Sequence, residues 1–566
     1  MNKRWKFRQS QHEEVAQLQE ALSINPIFCE LLVQRGVKTY EAAERFFRPK
    51  LDHLHDPFLM KDMQKAVDRI RQAIDKGEKI MVYGDYDVDG TSAATLLMDF
   101  FGPIIEKINF YIPDRYEEGY GVSVQGVEHA ASEGCTLMLT VDCGIRDVAS
   151  IALAAEKGID VIICDHHLPN TQLPNAFAIL NPKQVDCAYP FKELSGCGVA
   201  FKLVQAFAMQ QGFDFETKVQ PLLDLVAISL CCDMVSLSGE NRVLVFYGLI
   251  QFNGAPRMSL EVLRDIDGRR LPYTVRDVVF GIGPLLNAAG RMEHGREAVR
   301  MLLSKNRKEA ESQAAYLMLK NQERRAEEAQ MMQEAMAIIG DDPSFHDKRS
   351  TVVYQPHWHK GVIGIVAAKL AEHYNRPTIV FTDGLDGKRV GSARSVGNYD
   401  IHNAIGENGQ HTVNYGGHKF AAGLTVNADS YDEFVTAFEQ FVYHTLSTDD
   451  ELPTLFIDAQ LEMKQLNDKF WGILRQFAPF GPDNAQPVFL SKLVKDTGYS
   501  KLVKEEHIKM LVRQGDSEPI EGIAYGFGAQ FPELSSRKPF HLCYAVEQNF
   551  FMGKVKLQLL VRDMKF

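Results

Sequence analysis

The run Lys79-Ile80-Met81-Val82-Tyr83-Gly84-Asp85-Tyr86-Asp87-Val88-Asp89-Gly90 passes from strand-forming residues to three acids at alternate positions. The same grammar recurs downstream. Thr136-Leu137-Met138-Leu139-Thr140-Val141 closes on Asp142, and Asp160-Val161-Ile162-Ile163-Cys164 closes on Asp165-His166-His167. Leu225-Val226-Ala227-Ile228-Ser229-Leu230 reads as a further strand, followed by Asp233. Short β-branched runs alternating with helical ones predict an α/β fold with a doubly wound, mostly parallel sheet. Parallel strands bring their carboxyl ends to one edge, where open α/β sheets form ligand sites. Carboxylates with two imidazoles at that edge predict a site for two divalent cations.

Phosphoryl chemistry explains why such residues would gather. Two cations about 3.5–4 Å apart clamp the attacking and leaving oxygens and acidify a bound water. In an extended Asp85-x-Asp87-x-Asp89 the acids point the same way. Gly90 then frees a turn, and Thr91 begins the next helix. A calcium loop would need an acid at its twelfth position, which is Leu96. Taken singly, Asp142 or Asp233 reads as a helix cap or surface acid, and the histidine pair as filling. Their joint placement after strands argues for a metal centre. Imidazole among carboxylates favours Mn²⁺, with Mg²⁺ as the alternative.

A chain of 566 residues exceeds one core, so about three domains are expected. The net charge of −12 taken alone argues against a nucleic-acid partner. An acidic metal site accounts for part of that charge, however, and binding depends on where the basic residues lie. No apolar run has the length of a membrane span, and the basic start Met1-Asn2-Lys3-Arg4 is not followed by an apolar core. Nine scattered cysteines without a CxxC pair argue against zinc ribbons and disulfides. A cytoplasmic protein with no membrane partner is expected.

Residues 1–75 read as a helical, amphipathic segment packed on a sheet domain at 76–304. Ile108–Ile112 reads as another strand and Asp147–Lys157 as a helix. The run 305–340 has no Pro or Gly before Gly340 and reads as one connecting helix. Strand signals at 350–354 and 377–381 open a further α/β domain at 341–450. Scattered strands at 488–490, 508–512, 541–546 and 555–561 predict a small β-domain at 451–566.

These motifs resemble the DHH phosphoesterase superfamily, and further segments resemble its RecJ-type single-strand-specific exonucleases. Pro113-Asp114-Arg115-Tyr116-Glu117-Glu118-Gly119-Tyr120-Gly121 is similar to the PxRxxEGYG segment of that family. Gly283-Pro284-Leu285-Leu286-Asn287-Ala288-Ala289-Gly290-Arg291 is similar to its GPRxNAAGR segment, with Leu285 in place of Arg. Gly391-Ser392-Ala393-Arg394, with Gly416-Gly417-His418-Lys419, resembles the DHHA1 domain, and Pro479-Phe480-Gly481-Pro482-Asp483-Asn484 resembles the opening of the OB-type domain. Relatives often carry His where Tyr83 stands.

The resemblance implies that Asp87, Asp89, Asp142, His166 and Asp233 are metal ligands, with Asp85 a further ligand or supporting acid. Asp142 would bridge two ions, and His167 would touch the scissile phosphate. Arg115 and Arg291, with Asn287 nearby in a Gly-flanked turn, would hold a 5′-terminal phosphate, and Ser392, Arg394, Gly416, Gly417 and His418 would hold the strand backbone. His357 and His359 read as loop or DNA contacts. Lys501, Lys504, His507 and Lys509, with Phe550 and Phe551, would form a single-strand groove of an OB-like β-barrel.

The expected activity is 5′–3′ hydrolysis of single-stranded DNA to 5′-mononucleotides in repair and recombination. Its strand selectivity would come from a passage too narrow for duplex, and a helicase and a single-strand-binding protein would be partners. The alternatives are a short-oligonucleotide or cyclic-dinucleotide phosphodiesterase and a catalytically silent replication scaffold.

Overall fold

The computed structural model describes residues 3–447, 450, 452–551 and 554–566. The chain divides into two compact units, one of 48–327 with 479–484, the other of 1–47, 328–478 and 485–566.

The first unit is built on a five-stranded, wholly parallel sheet. Its strand order is Ile108–Tyr111, Ile80–Gly84, Leu137–Val141, Asp160–Cys164, Ala178–Leu180. All five residues of Ile80–Gly84 and of Leu137–Val141 are buried, as a sheet covered on both faces requires. One core lies under the helices Met63–Lys76, Val88–Phe101 and Gly196–Gln211. A second, around Met81, Met138 and Ile163, fills the opposite face. Val148–Glu156 is a helix started by Asp147, as the spacing predicts.

The run 225–230 is not a strand. Leu223–Cys232 is an α-helix whose residues 223–231 are all buried. It packs among Val88–Phe101, Gly196–Gln211 and Gly239–Gly254. A helix enclosed on every side loses its polar face, so its sequence looks like that of a buried strand. Asp233 therefore caps a helix rather than closing a strand.

The second unit holds two larger sheets besides a two-stranded pair. The first runs Asn414–His418, Ala421–Asn427, Lys388–Arg394, Thr378–Asp383, Thr351–Tyr354, and only the last two strands pair in parallel. The other has seven strands, and pairing of Val494–Asp496 with Val512–Gln514 closes five of them into a barrel. This is the expected OB-type architecture.

The expected N-terminal segment does not behave as one piece. Arg4–Phe7 forms a parallel pair with Thr454–Ile457, and Phe28 stacks at 4.7 Å from Phe470, so residues 1–47 belong with the C-terminal barrel. Only 48–75 joins the parallel-sheet unit. The loop Pro479–Asn484 also joins that unit, its Pro482 carbonyl accepting from Leu237 N at 2.9 Å. The long helix spans Arg307–Gly340. Among the described residues no helix is long and apolar enough to cross a membrane.

Candidate metal centre

The strand Ile80–Gly84 has its chain neighbours on opposite sides, Ile108–Tyr111 on one and Leu137–Val141 on the other. Such a reversal of strand order opens a crevice at the carboxyl ends. Asp85 leaves one strand bordering it and Asp142 the other.

The first three acids take three different jobs rather than sharing one extended face. Asp85 follows the strand and is buried. Asp87 caps the helix Val88–Phe101, its Oδ1 accepting from Asp89 N at 2.8 Å and Gly90 N at 3.2 Å. Asp89 lies in the first turn. Its carboxylate accepts from Gly196 N (2.7 Å), Cys197 N (2.8 Å) and Ser229 Oγ (2.6 Å), held at the amino end of Gly196–Gln211. Gly90 is helical and serves close approach, not a turn: a Cβ there would sit 2.5 Å from the Asp85 carbonyl oxygen.

Side chains from four segments converge. His166 Nε2 lies 3.2 Å from Asp142 Oδ1, 3.6 Å from Asp233 Oδ2 and 3.9 Å from Asp89 Oδ2. Ligand atoms fall into three sets, each with members within 4.8 Å of one another: Asp142 with His166 and His167, Asp89 with His166 and Asp233, and Asp85 with Asp87 and Asp142. Asp142 has a left-handed backbone (φ +62°), tolerable for Asp, and Gly196 presses so closely on it that a Cβ would lie 2.5 Å from its own.

Asp85 Oδ1, Asp142 Oδ1, Asp233 Oδ2 and both ring nitrogens of His166 are buried without a hydrogen-bond partner. Buried polar atoms are normally paired. Here the orphans are carboxylate oxygens and an imidazole, a donor set that fits divalent cations. Burial, and then the neighbouring carboxylates, hold Asp85, Asp142 and Asp233 well above the usual carboxylate range. Burial pushes His166 down to about 4, keeping the imidazole neutral with a lone pair to give.

Asp165 is different in kind, and residue spacing gave no sign of its role. It accepts from His166 N (2.7 Å), His167 N (3.1 Å) and Ile145 N (3.0 Å), and Oδ1 lies 2.7 Å from His167 Nδ1. Burial opposes charge on both partners, but their mutual contact outweighs it, lowering Asp165 and raising His167. Asn181 Nδ2 donates to the His167 carbonyl at 2.9 Å. Tyr83 is fully buried, and its hydroxyl donates to the Gly121 carbonyl at 3.0 Å.

Beside Asp85, the Arg115 guanidinium lies 4.8 Å over the Tyr86 ring. Burial and Asp85 raise the Tyr86 phenol, while the charges of Arg115 and Arg291 pull it the other way. Tyr116 donates its hydroxyl to the Arg291 carbonyl. Asn287 sits one turn before Arg291 within the helix Gly283–Met292, not in a glycine-flanked turn. Gly290 fits that helix against Tyr86, where a Cβ would lie 2.5 Å from the carbonyl oxygen. Leu285 is buried, so no side chain there reaches a phosphate.

In the other unit, strand register lines up Ser392, Gly423 and Gly416 in one row and Arg394, Ala421 and His418 in another. Gly417 pairs with Ala422 between them. Arg394 donates to Ser392 Oγ at 3.1 Å. Asn414–His418 is exposed throughout, and no atom lies within 4 Å of a Cβ built on Gly416. His357 pairs with Glu334 at 2.9 Å, while His359 accepts from Gly361 N at 3.1 Å and caps a helix. On the barrel, Lys501 faces Lys509 across a strand pair. Lys509 is paired with Glu521 at 3.3 Å, and His507 Nδ1 accepts from Gly526 N. The side chains of Phe550 and Phe551 lie outside the described residues.

Comparison with known proteins matches three family models along the chain: the N-terminal domain of the DHH family at 79–230, the DHHA1 domain at 347–444 and the RecJ OB domain at 457–563. The single-stranded-DNA-specific exonuclease RecJ of Bacillus subtilis is 34% identical over 565 residues, 99% of this chain and 70% of the relative. The crystal structure of RecJ with Mn²⁺ from Thermus thermophilus superposes with a TM-score of 0.85 at 24% identity, covering 100% of this chain and 79% of the other. A structure of exonuclease RecJ bound to manganese matches at 30% identity and a TM-score of 0.60, covering 70% of this chain and 96% of that one.

Proposed function

Because this chain belongs to the RecJ family, we propose that it is a metal-dependent exonuclease specific for single-stranded DNA. It works in the 5′–3′ direction and releases 5′-mononucleotides, in DNA repair and recombination. The observation that carries this reading is the set of buried, unpartnered donor atoms on Asp85, Asp142, His166 and Asp233.

Asp87, Asp89, Asp142, His166 and Asp233 would hold two divalent cations, Mn²⁺ in first place and Mg²⁺ as the alternative, with Asp142 as the shared ligand and Asp85 in support. When bound, these ions supply an activated water and offset the charge that builds on phosphorus. The chain's own groups do the rest. His167, oriented by Asp165, presents an N–H to a scissile phosphate oxygen and favours its growing charge. Arg115 and Arg291 grip a 5′-terminal phosphate, where planar guanidinium groups engage two oxygens at once, with Asn287 on the same helix as Arg291. The bare row around Gly416 and Gly417 lets backbone N–H groups approach the strand, and Ser392, Arg394 and His418 add side-chain contacts. The barrel lysines hold the strand further along without reading its sequence. A helicase and a single-strand-binding protein supply the substrate.

The test is digestion of a long single strand labelled at either end, with and without Mn²⁺, beside a blunt duplex and a dinucleotide. The expected result is Mn²⁺-dependent release of labelled mononucleotide from the 5′ end of the single strand, with the duplex spared. Cleavage of the dinucleotide alone would instead support the phosphodiesterase reading, and no cleavage of any substrate the scaffold reading.

A further inference from the structure

The hydroxyl of Tyr120 lies 3.0 Å from Nδ1 and 3.2 Å from Nε2 of His167, and it donates to the Asp142 carbonyl at 3.2 Å. The two rings meet edge-on with centroids 5.5 Å apart. With its proton on the carbonyl, the hydroxyl turns its lone pairs toward the Nδ1–H, the contact it shares with Asp165, and Nε2 is left for the phosphate. Asp165 holds Nδ1 at 2.7 Å. The imidazole is thus pinned by a carboxylate and by a phenol that is itself tied to the backbone of Asp142.

The loop behind Tyr120 is built to be rigid. Gly119 (φ +83°) and Gly121 (φ +94°) both take left-handed conformations, so the backbone reverses on each side of the tyrosine. A Cβ on Gly121 would lie 2.7 Å from both carboxylate oxygens of Asp147, which accepts from Val122 N at 2.7 Å. Glu118 accepts from Tyr111 Oη at 3.0 Å and from Asp114 N at 2.8 Å, and it binds the Ser123 hydroxyl. From beneath, Tyr83 donates to the Gly121 carbonyl and accepts from Ser123 N at 3.1 Å. Tyr120 itself is 49% exposed. A half-exposed side chain on so constrained a frame is placed for contact rather than for packing.

We propose that Tyr120 is a positioning residue: its hydroxyl fixes the His167 imidazole against the scissile phosphate, and Tyr83 fixes the loop that carries it. This rests on His167 acting on that phosphate.

Tyr120→Phe removes the hydroxyl and keeps the ring. On 5′-phosphorylated single-stranded DNA in saturating Mn²⁺, kcat is expected to fall roughly 10- to 100-fold, the scale of a misplaced reacting group. KM should stay within about twofold. Adding Tyr120→Phe to His167→Ala should cost nothing further, because the two act as one unit. The melting temperature and Mn²⁺ affinity of Tyr120→Phe should match the parent, which excludes a merely structural effect. A parental kcat, a rise in KM alone, or a full multiplicative loss in the double variant would overturn the proposal. If His167→Ala keeps full activity, the reading of His167 fails and takes this one with it. If His167→Ala is crippled and Tyr120→Phe is not, only the assignment of Tyr120 fails.

Discussion

Asp165 Oδ1 lies 2.7 Å from His167 Nδ1, and the same oxygen accepts the backbone N–H groups of both His166 and His167. One buried carboxylate therefore sets the conformation of the whole histidine pair. It directs His167 by its side chain and His166 by its backbone, while both His166 ring nitrogens remain without a hydrogen bond and Nε2 faces Asp142 and Asp233. The acid in front of the pair is what gives two adjacent imidazoles different surroundings.

Asp165→Asn should expose that division. The amide is nearly isosteric and preserves an acceptor, but it no longer favours a charged His167. We expect kcat on single-stranded DNA to fall by about 10²-fold, the lower end for a disturbed acid–base group. Mn²⁺ affinity, measured by calorimetry, should change far less, because His166 keeps its neighbours. Loss of Mn²⁺ binding in parallel with activity would mean that Asp165 acts chiefly on the metal site.

The carboxylate cluster predicts opposite effects on stability and on metal binding. In the metal-free protein Asp142 and Asp233 stand among other acids, and burial and like charge disfavour their ionised forms. Asp233→Asn relieves part of that strain. The metal-free variant should melt about 2–4 °C higher, the shift that roughly 1 kcal/mol produces in a unit of this size. The stabilisation that Mn²⁺ gives the parent protein should shrink or vanish. Thermal scans with EDTA and with Mn²⁺ measure both, and a variant that melts lower in EDTA would contradict the repulsion argument.

How far the sequence could be read depended on where each constraint lies along the chain. Asp142 and Asp165 were legible because each ends an apolar run, and a parallel sheet gathers such ends at one edge. Leu223–Cys232 was misread because its period is erased when every face is buried. Asn287 was misplaced because glycines that serve tight packing, such as Gly290 against Tyr86, look in sequence like turn glycines. The pairing of Arg4 with Thr454 spans 450 residues and left no local trace. The roles of Asp165 and Tyr120 are written in tertiary hydrogen bonds, to which residue spacing is blind.

Arg115 should govern selection of the strand terminus. Arg115→Ala removes the guanidinium that lies over the Tyr86 ring and leaves Arg291 to hold the phosphate. The rate on a 5′-phosphorylated strand should fall roughly 10- to 100-fold, the equivalent of one charge-assisted hydrogen-bond pair at about 1.5–3 kcal/mol. A strand with a 5′-hydroxyl should be cut at nearly the parental rate of that poorer substrate. Arg115→Lys should recover only part of the preference, since an ammonium cannot match two phosphate oxygens in one plane. Equal losses on both substrates would place Arg115 outside the terminal pocket.

Behind the centre, Lys202 and Glu240 form an ion pair in which both side chains are 0% exposed, with Nζ 2.5 Å from Oε1. The pair is complete in its hydrogen bonds. Lys202 also donates to the His55 carbonyl and to Gln205 Oε1, both at 2.9 Å, and Glu240 accepts from Tyr189 Oη at 2.7 Å and from His55 N at 3.0 Å. Lys202 stands on Gly196–Gln211, whose amino end grips Asp89, so this pair ties the helix that places that proposed metal ligand to the neighbouring helix Gly239–Gly254. Lys202→Met would strand a buried carboxylate and should cost about 3–5 kcal/mol in denaturant unfolding of the metal-free protein. Lys202→Met with Glu240→Leu should restore most of that loss, because buried pairs exchange for apolar groups at little net cost. If the single variant is as stable as the parent, the carboxylate has found water or taken up a proton, and the pair is no strut for the helix behind Asp89.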